Sequence, residues 1–92
     1  MYTIVVAKRC RKQIKKLAKA DSVLFAKLEV TIEFLSCGKR LPSSQKDHKL
    51  TGQLHEFREC HIAPDWLLIY RQHKNMLILE LLATGTHATL FE

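Results

Sequence analysis

Residues 54–72 read LHEFRECHIAPDWLLIYRQ, and this stretch decides the fold class. Residues 66–72 carry the aromatic and branched apolar side chains that favour a strand, and residues 54–62 alternate imperfectly between apolar and polar side chains. Pro64 and Asp65 separate the two runs with a link that has room only for a turn. The stretch therefore predicts two antiparallel strands that are joined as a hairpin.

A third strand is predicted on the C-terminal side of this hairpin. A polar link, HKN, leads into residues 76–84, which are almost wholly apolar up to residue 82 apart from Glu80. Such a run predicts either a strand that is buried on both faces or a strand at a partner interface. Residues 86–91 follow as a short tail with room for one helical turn.

The N-terminal half predicts a strand and two helices. Residues 2–7, YTIVVA, are short and β-branched, which favours a strand. Residues 8–20 contain no Gly or Pro, and their apolar side chains recur on one helical stripe. Asp21 or Ser22 can then cap a second helix that ends near Gly38. Because the link between them is so tight, the two helices should form an antiparallel hairpin.

The order of these elements indicates a single α+β domain that spans residues 1–92. We expect an antiparallel sheet of about four strands, in the order β-α-α-β-β-β, with the helical hairpin packed on one face. A chain of 92 residues has room for one small core. The second face of the sheet is then left open, which makes it a candidate working surface.

Composition and hydropathy exclude several classes of protein. The chain is 47% hydrophobic and 26% charged, as globular domains are and as disordered or collagen-like chains are not. No apolar run approaches the ~18 residues that would span a bilayer. The apolar N-terminus precedes its basic cluster, which is the reverse of a signal peptide. We therefore predict a cytoplasmic protein with no membrane partner.

The cysteine pattern does not support a disulfide scaffold. The chain has three cysteines, an odd number, and no CxxC pair. Their simplest interpretation is as buried, reduced thiols at positions Cys10, Cys37 and Cys60.

Positive charge is the first functional signal. Fifteen Lys and Arg residues against nine Asp and Glu residues give a net charge of +6. Seven of the cations fall in one segment that contains no acidic residue: Lys8, Arg9, Arg11, Lys12, Lys15, Lys16 and Lys19. Such a chain favours a polyanion or an acidic protein as its partner. The alternative is that the basic helix presents an ordinary solvated face.

Histidines are the candidate catalytic groups. The chain has five, and His48, His61 and His87 all lie near the ends of predicted strands, where a sheet can bring them together. An imidazole can give or take a proton near neutral pH. Asp65 could orient an imidazole, hold a basic residue or cap the turn. His55 and His73 have polar neighbours and are expected at the surface.

A basic chain with clustered histidines indicates RNA as the substrate. RNA carries its own nucleophile, the 2′-hydroxyl group, so cleavage needs a base, an acid and cations that stabilise the charged phosphorane. No cofactor is required. The same histidines with Asp65 could instead bind zinc, although the sequence contains no HxH or HExxH pair. The aromatic residues Trp66, Tyr70 and Phe91 either pack in the core or offer faces on which bases stack.

Three segments carry a resemblance to a known family. Residues 46–52 read KDHKLTG, residues 57–70 read FRECHIAPDWLLIY and residues 84–91 read TGTHATLF. Their order and spacing resemble the YafQ branch of the RelE/ParE toxin superfamily, whose pattern is DHxLxG, then YRDxHxxPDWxLIY, then GTHxxLF. The match covers about half of the chain.

The resemblance implies a RelE-like fold and an mRNA endonuclease, the toxin of a bacterial toxin–antitoxin pair. Toxins of the YafQ type cut mRNA in the ribosomal A site, and their products resemble those of a metal-free 2′-hydroxyl attack that leaves a 2′,3′-cyclic phosphate. The family's motif residues fall on His48, His61, Asp65, His87 and Phe91.

Roles for these residues follow as hypotheses. His87 would be the general acid, and His61 or His48 the base, with Asp65 holding one of the two base candidates in its useful tautomer. The substrate would be bound by four further side chains and by the basic helix, which would grip ribosomal RNA. The four are Arg58 and Lys49 on phosphate, and Phe91 and Trp66 as stacking faces.

Two positions depart from the family pattern. Many relatives carry an arginine two residues before the Gly of GTH, where this chain has Ala83. A cation at that position could stabilise the transition state, so Arg71 or Arg58 would have to compensate for it. Leu54 stands where relatives often have Trp, which indicates a change in packing.

The resemblance also implies partners and alternatives. An antitoxin with an acidic, partly disordered segment would wrap the basic toxin, and the pair would bind its operator DNA through the antitoxin. ParE-type members share the fold but bind DNA gyrase and cut no RNA. A basic nucleic-acid-binding module without catalysis is the other alternative. Neither alternative accounts for the histidines, the GTH motif and Phe91 together.

Overall fold

Five strands and three helices make up residues 1–91, which are the part of the chain that the computed structural model describes. In chain order these are β1 (Thr3–Val6), α1 (Lys8–Ala20), α2 (Ser22–Ser36), β2 (His48–Lys49), β3 (Arg58–Ala63), β4 (Trp66–His73), β5 (Ile78–Gly85) and α3 (His87–Phe91). Single 3₁₀ turns at Ser43–Gln45 and Gly52–Leu54 lie in the loops on either side of β2.

The strands form one sheet in the order β1-β5-β4-β3-β2. The predicted α+β class is confirmed, with two differences. The described sheet has five strands rather than about four, and β1 runs parallel to β5 while the other pairs are antiparallel. The strand β2 has two residues, which are too few to show an alternation of apolar and polar side chains. The direction of β1 depends on its pairing with the distant strand β5, which no local sequence pattern predicts.

β5 is an interior strand of the sheet and lies between β1 and β4. Leu79 and Leu81 pack under the helices at 0% and 1% exposure, and Ala83 is equally buried on the opposite face. The apolar run therefore corresponds to a strand that is buried on both faces. This is the first of the two predicted possibilities.

A bulge between Ile69 and Tyr70 interrupts the pairing of β4 with β5. Tyr70 lies opposite Leu81 and Ile69 lies opposite Ala83, so Leu82 is the extra residue. Because side chains alternate along a strand, one extra residue moves every side chain that follows it to the opposite face of the sheet. The bulge therefore decides on which side of the sheet β5 delivers α3.

One residue joins the two helices of the hairpin. The Asp21 backbone N–H donates to the Leu17 carbonyl at 2.9 Å, which ends α1, and the Asp21 carboxylate accepts from the Leu24 N–H at 3.0 Å, which caps α2. The predicted apolar stripe of α1 runs through Cys10, Ile14, Leu17 and Ala18, of which Cys10 and Leu17 are buried, Ile14 is half-buried and Ala18 is exposed. None of the helices within residues 1–91 has the length and apolar character needed to cross a bilayer.

The second face of the sheet is less open than predicted. Leu67 and Ile69 point away from the helical hairpin, yet they are 0% and 2% exposed. The Phe57 ring lies 4.8 Å from the Arg71 guanidinium on that face, and α3 folds back against the end of β5. The working surface is therefore confined to the end of this face where the histidines lie.

β3 begins at Arg58, four residues later than the predicted strand. Gly52 adopts a left-handed conformation with φ of 69°, and the Phe57 N–H donates to the Leu54 carbonyl at 2.9 Å. These turns use the backbone groups that a longer strand would have paired.

The cysteines follow the prediction in two of three cases. Cys10 and Cys60 are fully buried, and burial raises the pKa of their thiols to about 11 and about 12 respectively. Both therefore stay protonated and unreactive near neutral pH. Cys37 is exposed at the end of α2, where the helix leaves the core.

We expect Gly85→Ala to displace α3, because an added Cβ would lie 2.6 Å from Thr89 Oγ1 and 3.3 Å from Leu90 Cδ2. Overpacking of this kind costs about 1–3 kcal/mol. Urea denaturation should show that loss, and amide chemical shifts should change mainly in α3. Combining the change with Thr89→Ala removes the closest contact and should restore part of the stability. A single variant with the stability and the α3 shifts of the parent chain would contradict the packing described here.

Candidate active site

Three of the predicted catalytic side chains meet where β3, the β3–β4 turn and α3 come together. The His61 and His87 rings face one another with their centroids 6.1 Å apart and their planes tilted by 55°. Asp65 lies beside His87 at the turn. Two imidazoles at this distance can reach oxygens of the same phosphate group beside them, each through a hydrogen bond of about 2.8 Å.

Asp65 is placed against His87 and not against the two predicted bases. Its Oδ1 lies 3.8 Å from His87 Nδ1 and accepts a long hydrogen bond, 3.5 Å, from the His87 backbone N–H. Both side chains are largely exposed. The hypothesis that Asp65 holds His48 or His61 is corrected accordingly, because the β3–β4 turn points toward the start of α3.

Phe91 stands one helical turn from His87 on α3. Their ring centroids are 6.0 Å apart, and Phe91 is 46% exposed. An aromatic face so close to a candidate acid is available to a base of the bound RNA. The chain thus brings His61, His87, Asp65 and Phe91 together at one end of the sheet.

His48 joins this group through a carboxylate that the sequence analysis missed. His48 lies directly opposite Glu59 in the β2–β3 pairing, and Glu59 precedes His61 by two residues on the same face of β3. Glu59 Oε1 is 3.6 Å from His48 Nε2 and 3.7 Å from His61 Nε2. The i, i+2 spacing of Glu59 and His61 was visible in the sequence, whereas the short strand β2 was not.

The chain before β2 fixes the His48 ring from its other side. His48 Nδ1 lies 2.7 Å from the Lys46 carbonyl oxygen. A carbonyl can only accept, so Nδ1 carries the proton of this hydrogen bond. Lys46 itself has a φ of 48°, an uncommon value for a residue with a side chain.

Cations line a cavity of about 300 Å³ next to His61. Lys27 of α2 and Lys46 contribute to its wall together with Gln45, whose side-chain amide donates to the His61 carbonyl at 3.3 Å. From the other side of the site, Arg9 of the basic helix donates to the Thr89 carbonyl of α3 at 3.4 Å. Basic residues of α1, α2 and the loop before β2 therefore lie next to elements that carry the histidines.

Three of the predicted substrate-binding residues lie on the opposite face of the sheet from His48 and His61. Lys49 and Arg58 pair with each other across β2 and β3, one residue out of phase with His48 and Glu59. Arg58 Nε donates to Asp47 at 3.2 Å, and this bond raises the pKa of the guanidinium. Trp66 donates its indole N–H to Thr84 Oγ1 at 2.9 Å and packs against the core.

Neither Arg71 nor Arg58, the two cations proposed to compensate for Ala83, is available to a substrate at the histidines. Ala83 is buried, and it lies on the histidine-bearing face opposite Ile69. Arg71 shares that face but donates to Glu56 at 2.9 Å and to Glu80 at 3.1 Å. Arg58 lies on the other face, as described above. Within residues 1–91, the structure gathers no group of three His, Cys, Asp or Glu side chains suited to a metal ion.

Comparison with known proteins points to one family. The family model described as bacterial toxin of type II toxin–antitoxin system, YafQ, matches residues 2–92. The mRNA interferase toxin YafQ of Escherichia coli K12 is 47% identical over 51 residues, which are 55% of this chain and 53% of that protein. The matched region thus spans about half the length of this curated relative.

Solved structures match over nearly the whole chain. The crystal structure of YafQ from E. coli BL21(DE3) superposes with a TM-score of 0.87 at 30% identity and covers 100% of both chains. A metal-bound toxin from Helicobacter pylori gives a TM-score of 0.86 at 39% identity, covering 99% of this chain and 100% of that one. E. coli YafQ in complex with DinJ gives 0.86 at 31% identity, again over 100% of both chains.

We expect Glu80 to stabilise the fold in a pH-dependent way. A hydrogen bond with His73 at 3.0 Å, followed by Arg71, holds the Glu80 pKa below its ordinary value of 4.5. A carboxyl whose pKa is depressed by folding stabilises the native state above the ordinary pKa, and that stabilisation is lost as the pH falls through the lower native value.

Glu80→Gln should therefore lower the free energy of unfolding at pH 7, and the difference from the parent chain should vanish in strong acid. Urea denaturation across this pH range measures it. Glu29→Gln, on the exposed face of α2, is the matched control and should show no comparable pH dependence. A Glu80→Gln difference that is the same at every pH would contradict the ion-pair account.

Proposed function

Because the chain belongs to the YafQ family of bacterial toxins of type II toxin–antitoxin systems, we propose that it is such a toxin and that it cleaves mRNA as an endoribonuclease. The observation that carries the proposal is the pair of facing imidazoles, His61 and His87, 6.1 Å apart. Two proton-transfer groups on opposite sides of one phosphate are what cleavage by the substrate's own 2′-hydroxyl requires.

The first half of the reaction needs a base at the 2′-hydroxyl. His61 or His48 takes its proton, the 2′-oxygen attacks phosphorus, and a 2′,3′-cyclic phosphate forms. Because RNA supplies the nucleophile, the proposed chemistry requires no metal ion. Lys27 and Lys46 line the cavity beside His61, and in this proposal they would stabilise the additional negative charge.

The second half needs an acid at the departing 5′-oxygen, and we assign it to His87. Asp65 lies 3.8 Å from Nδ1, where it favours a proton on that atom. Nε2 is then the atom that delivers a proton to the leaving oxygen as the phosphorus–oxygen bond breaks. Phe91, exposed beside His87, would stack on a neighbouring base and hold the phosphate in line.

Arg58, Lys49 and Trp66 have no role at the reacting phosphate in this proposal, because they lie on the other face. We propose instead that Lys49 and Arg58, together with the basic helix α1, contact more distant nucleic acid. The ribosome with mRNA in its A site is the substrate that accounts for a small toxin with so much positive surface. The net charge of +6 supports binding to ribosomal RNA.

The neutralising partner would be a cognate antitoxin. The similar E. coli YafQ has been crystallised with DinJ. For this chain, the net charge of +6 favours an acidic segment that folds as it binds. Operator DNA would be bound by the complex through the antitoxin.

The test is mRNA cleavage in a purified translation system, with the cut ends mapped by primer extension. The purified chain should cut within codons only when ribosomes are present. His87→Ala should lower the rate by about 10²–10⁴-fold, the usual contribution of a general acid or base. His55→Ala, which removes an exposed histidine outside the site, should cleave at the parental rate.

Two outcomes would contradict the proposal. Persistent cleavage by His87→Ala, within a few-fold of the parent, would remove His87 from the mechanism. An absence of cuts from folded parent chain that is free of antitoxin would favour a gyrase-binding toxin or a non-catalytic module.

A further inference from the structure

Glu59 is the buried carboxylate at the centre of the histidine group. Its side chain is only 6% exposed, so a bound RNA has almost no access to the carboxylate. Burying an ionised carboxylate is costly unless cationic or hydrogen-bonding groups compensate. Among the described residues, the basic side chains that approach it are those of His48 and His61.

One carboxylate oxygen of Glu59 lies near the imidazole rings of both His48 and His61. Oε1 lies 3.6 Å from His48 Nε2 and 3.7 Å from His61 Nε2. The strand β4 contributes only the apolar residues Leu67 and Ile69 opposite these positions. The other titratable group facing the rings is His87, and Lys27 and Lys46 lie in the cavity next to His61.

We propose that Glu59 is a positioning residue for cleavage, a shared anionic neighbour that supports either His48 or His61 as the base. The inference rests on the proposed endoribonuclease function and extends it. Glu59 orients both rings through the β2–β3 pairing and lies next to the positive charge that forms on whichever ring takes the proton.

The two rings use different nitrogen atoms. His48 already donates from Nδ1 to the Lys46 carbonyl, so the proton from the 2′-hydroxyl is added at Nε2, beside Glu59. In His61 a proton on Nε2 points to Glu59, and Nδ1 is then the atom that accepts the substrate's proton. As the 2′-oxygen bonds to phosphorus, His87 gives its proton to the 5′-oxygen. Glu59 gives and takes no proton in these steps.

The kinetic test compares Glu59→Gln, Glu59→Asp and Glu80→Gln in the ribosome-dependent cleavage assay. Glu59→Gln keeps the shape and removes the charge, so kcat should fall by at least about 10-fold, part of what a general base contributes. KM should be unchanged, because Glu59 does not contact RNA. Glu59→Asp keeps the charge and should retain more activity than Glu59→Gln. Glu80→Gln removes the carboxylate of another Glu–His pair on the sheet and should cleave at the parental rate.

A spectroscopic readout separates positioning from a purely structural role. The ¹⁵N chemical shifts of the imidazole nitrogens report which of them carries a proton. Glu59→Gln should change these shifts in His48 and His61 and leave those of His55 and His73 as they are. Glu80→Gln should change the nitrogen shifts of His73 and leave those of His48 and His61 as they are. Thermal denaturation of each variant shows whether its fold is retained.

The outcomes distinguish this inference from the proposed function. A parent chain that cleaves, a His87→Ala variant that does not, and a Glu59→Gln variant within twofold of the parental kcat would overturn the role of Glu59 alone. Unchanged His48 and His61 nitrogen shifts in Glu59→Gln, or equal losses in Glu59→Asp and Glu59→Gln, would overturn it as well. A parent chain that makes no cuts would overturn the endoribonuclease first.

Discussion

The bulge between Ile69 and Tyr70 is the constraint on which the candidate site depends. Without the extra residue Leu82, the later part of β5 would present its side chains to the opposite faces of the sheet. The chain would then leave Gly85 toward the helical hairpin rather than toward the face that carries His61. The register between β4 and β5 therefore determines how the site is assembled, although neither strand supplies one of its histidines.

The geometry divides the sheet into two surfaces with different tasks. One face holds the core under α1 and α2 and, at its edge, the Asp47 carboxylate, which accepts from Arg58 and from Tyr70 at 2.6 Å. The other face holds the imidazoles, the buried carboxylate between two of them and the exposed Phe91. Burial raises the pKa of the Tyr70 hydroxyl well above its ordinary value, so this tyrosine serves as a donor in the scaffold and not as an acid.

The sequence predicted those features that are local. The two helices, the β3–β4 hairpin and the apolar β5 each follow from periodicity and turn residues within about twenty positions of one another. The parallel edge pairing of β1, the two-residue strand β2 and the partner of Asp65 depend on contacts between distant segments, and no local pattern encodes them. Glu59 was missed for the same reason, because its significance lies in the strand that pairs with it. The placement of Lys49 and Arg58 follows from strand alternation once that pairing is known.

The parallel pairing of β1 with β5 has a consequence for synthesis. Thr3 lies opposite Ile78, so the edge of the sheet can close only after the ribosome has made and released β5, and His87 follows two residues later. Contacts so distant along the chain form late in folding. A nascent chain therefore acquires its complete sheet and its candidate acid at almost the same moment. During synthesis, a complete sheet that lacks His87 therefore exists only briefly.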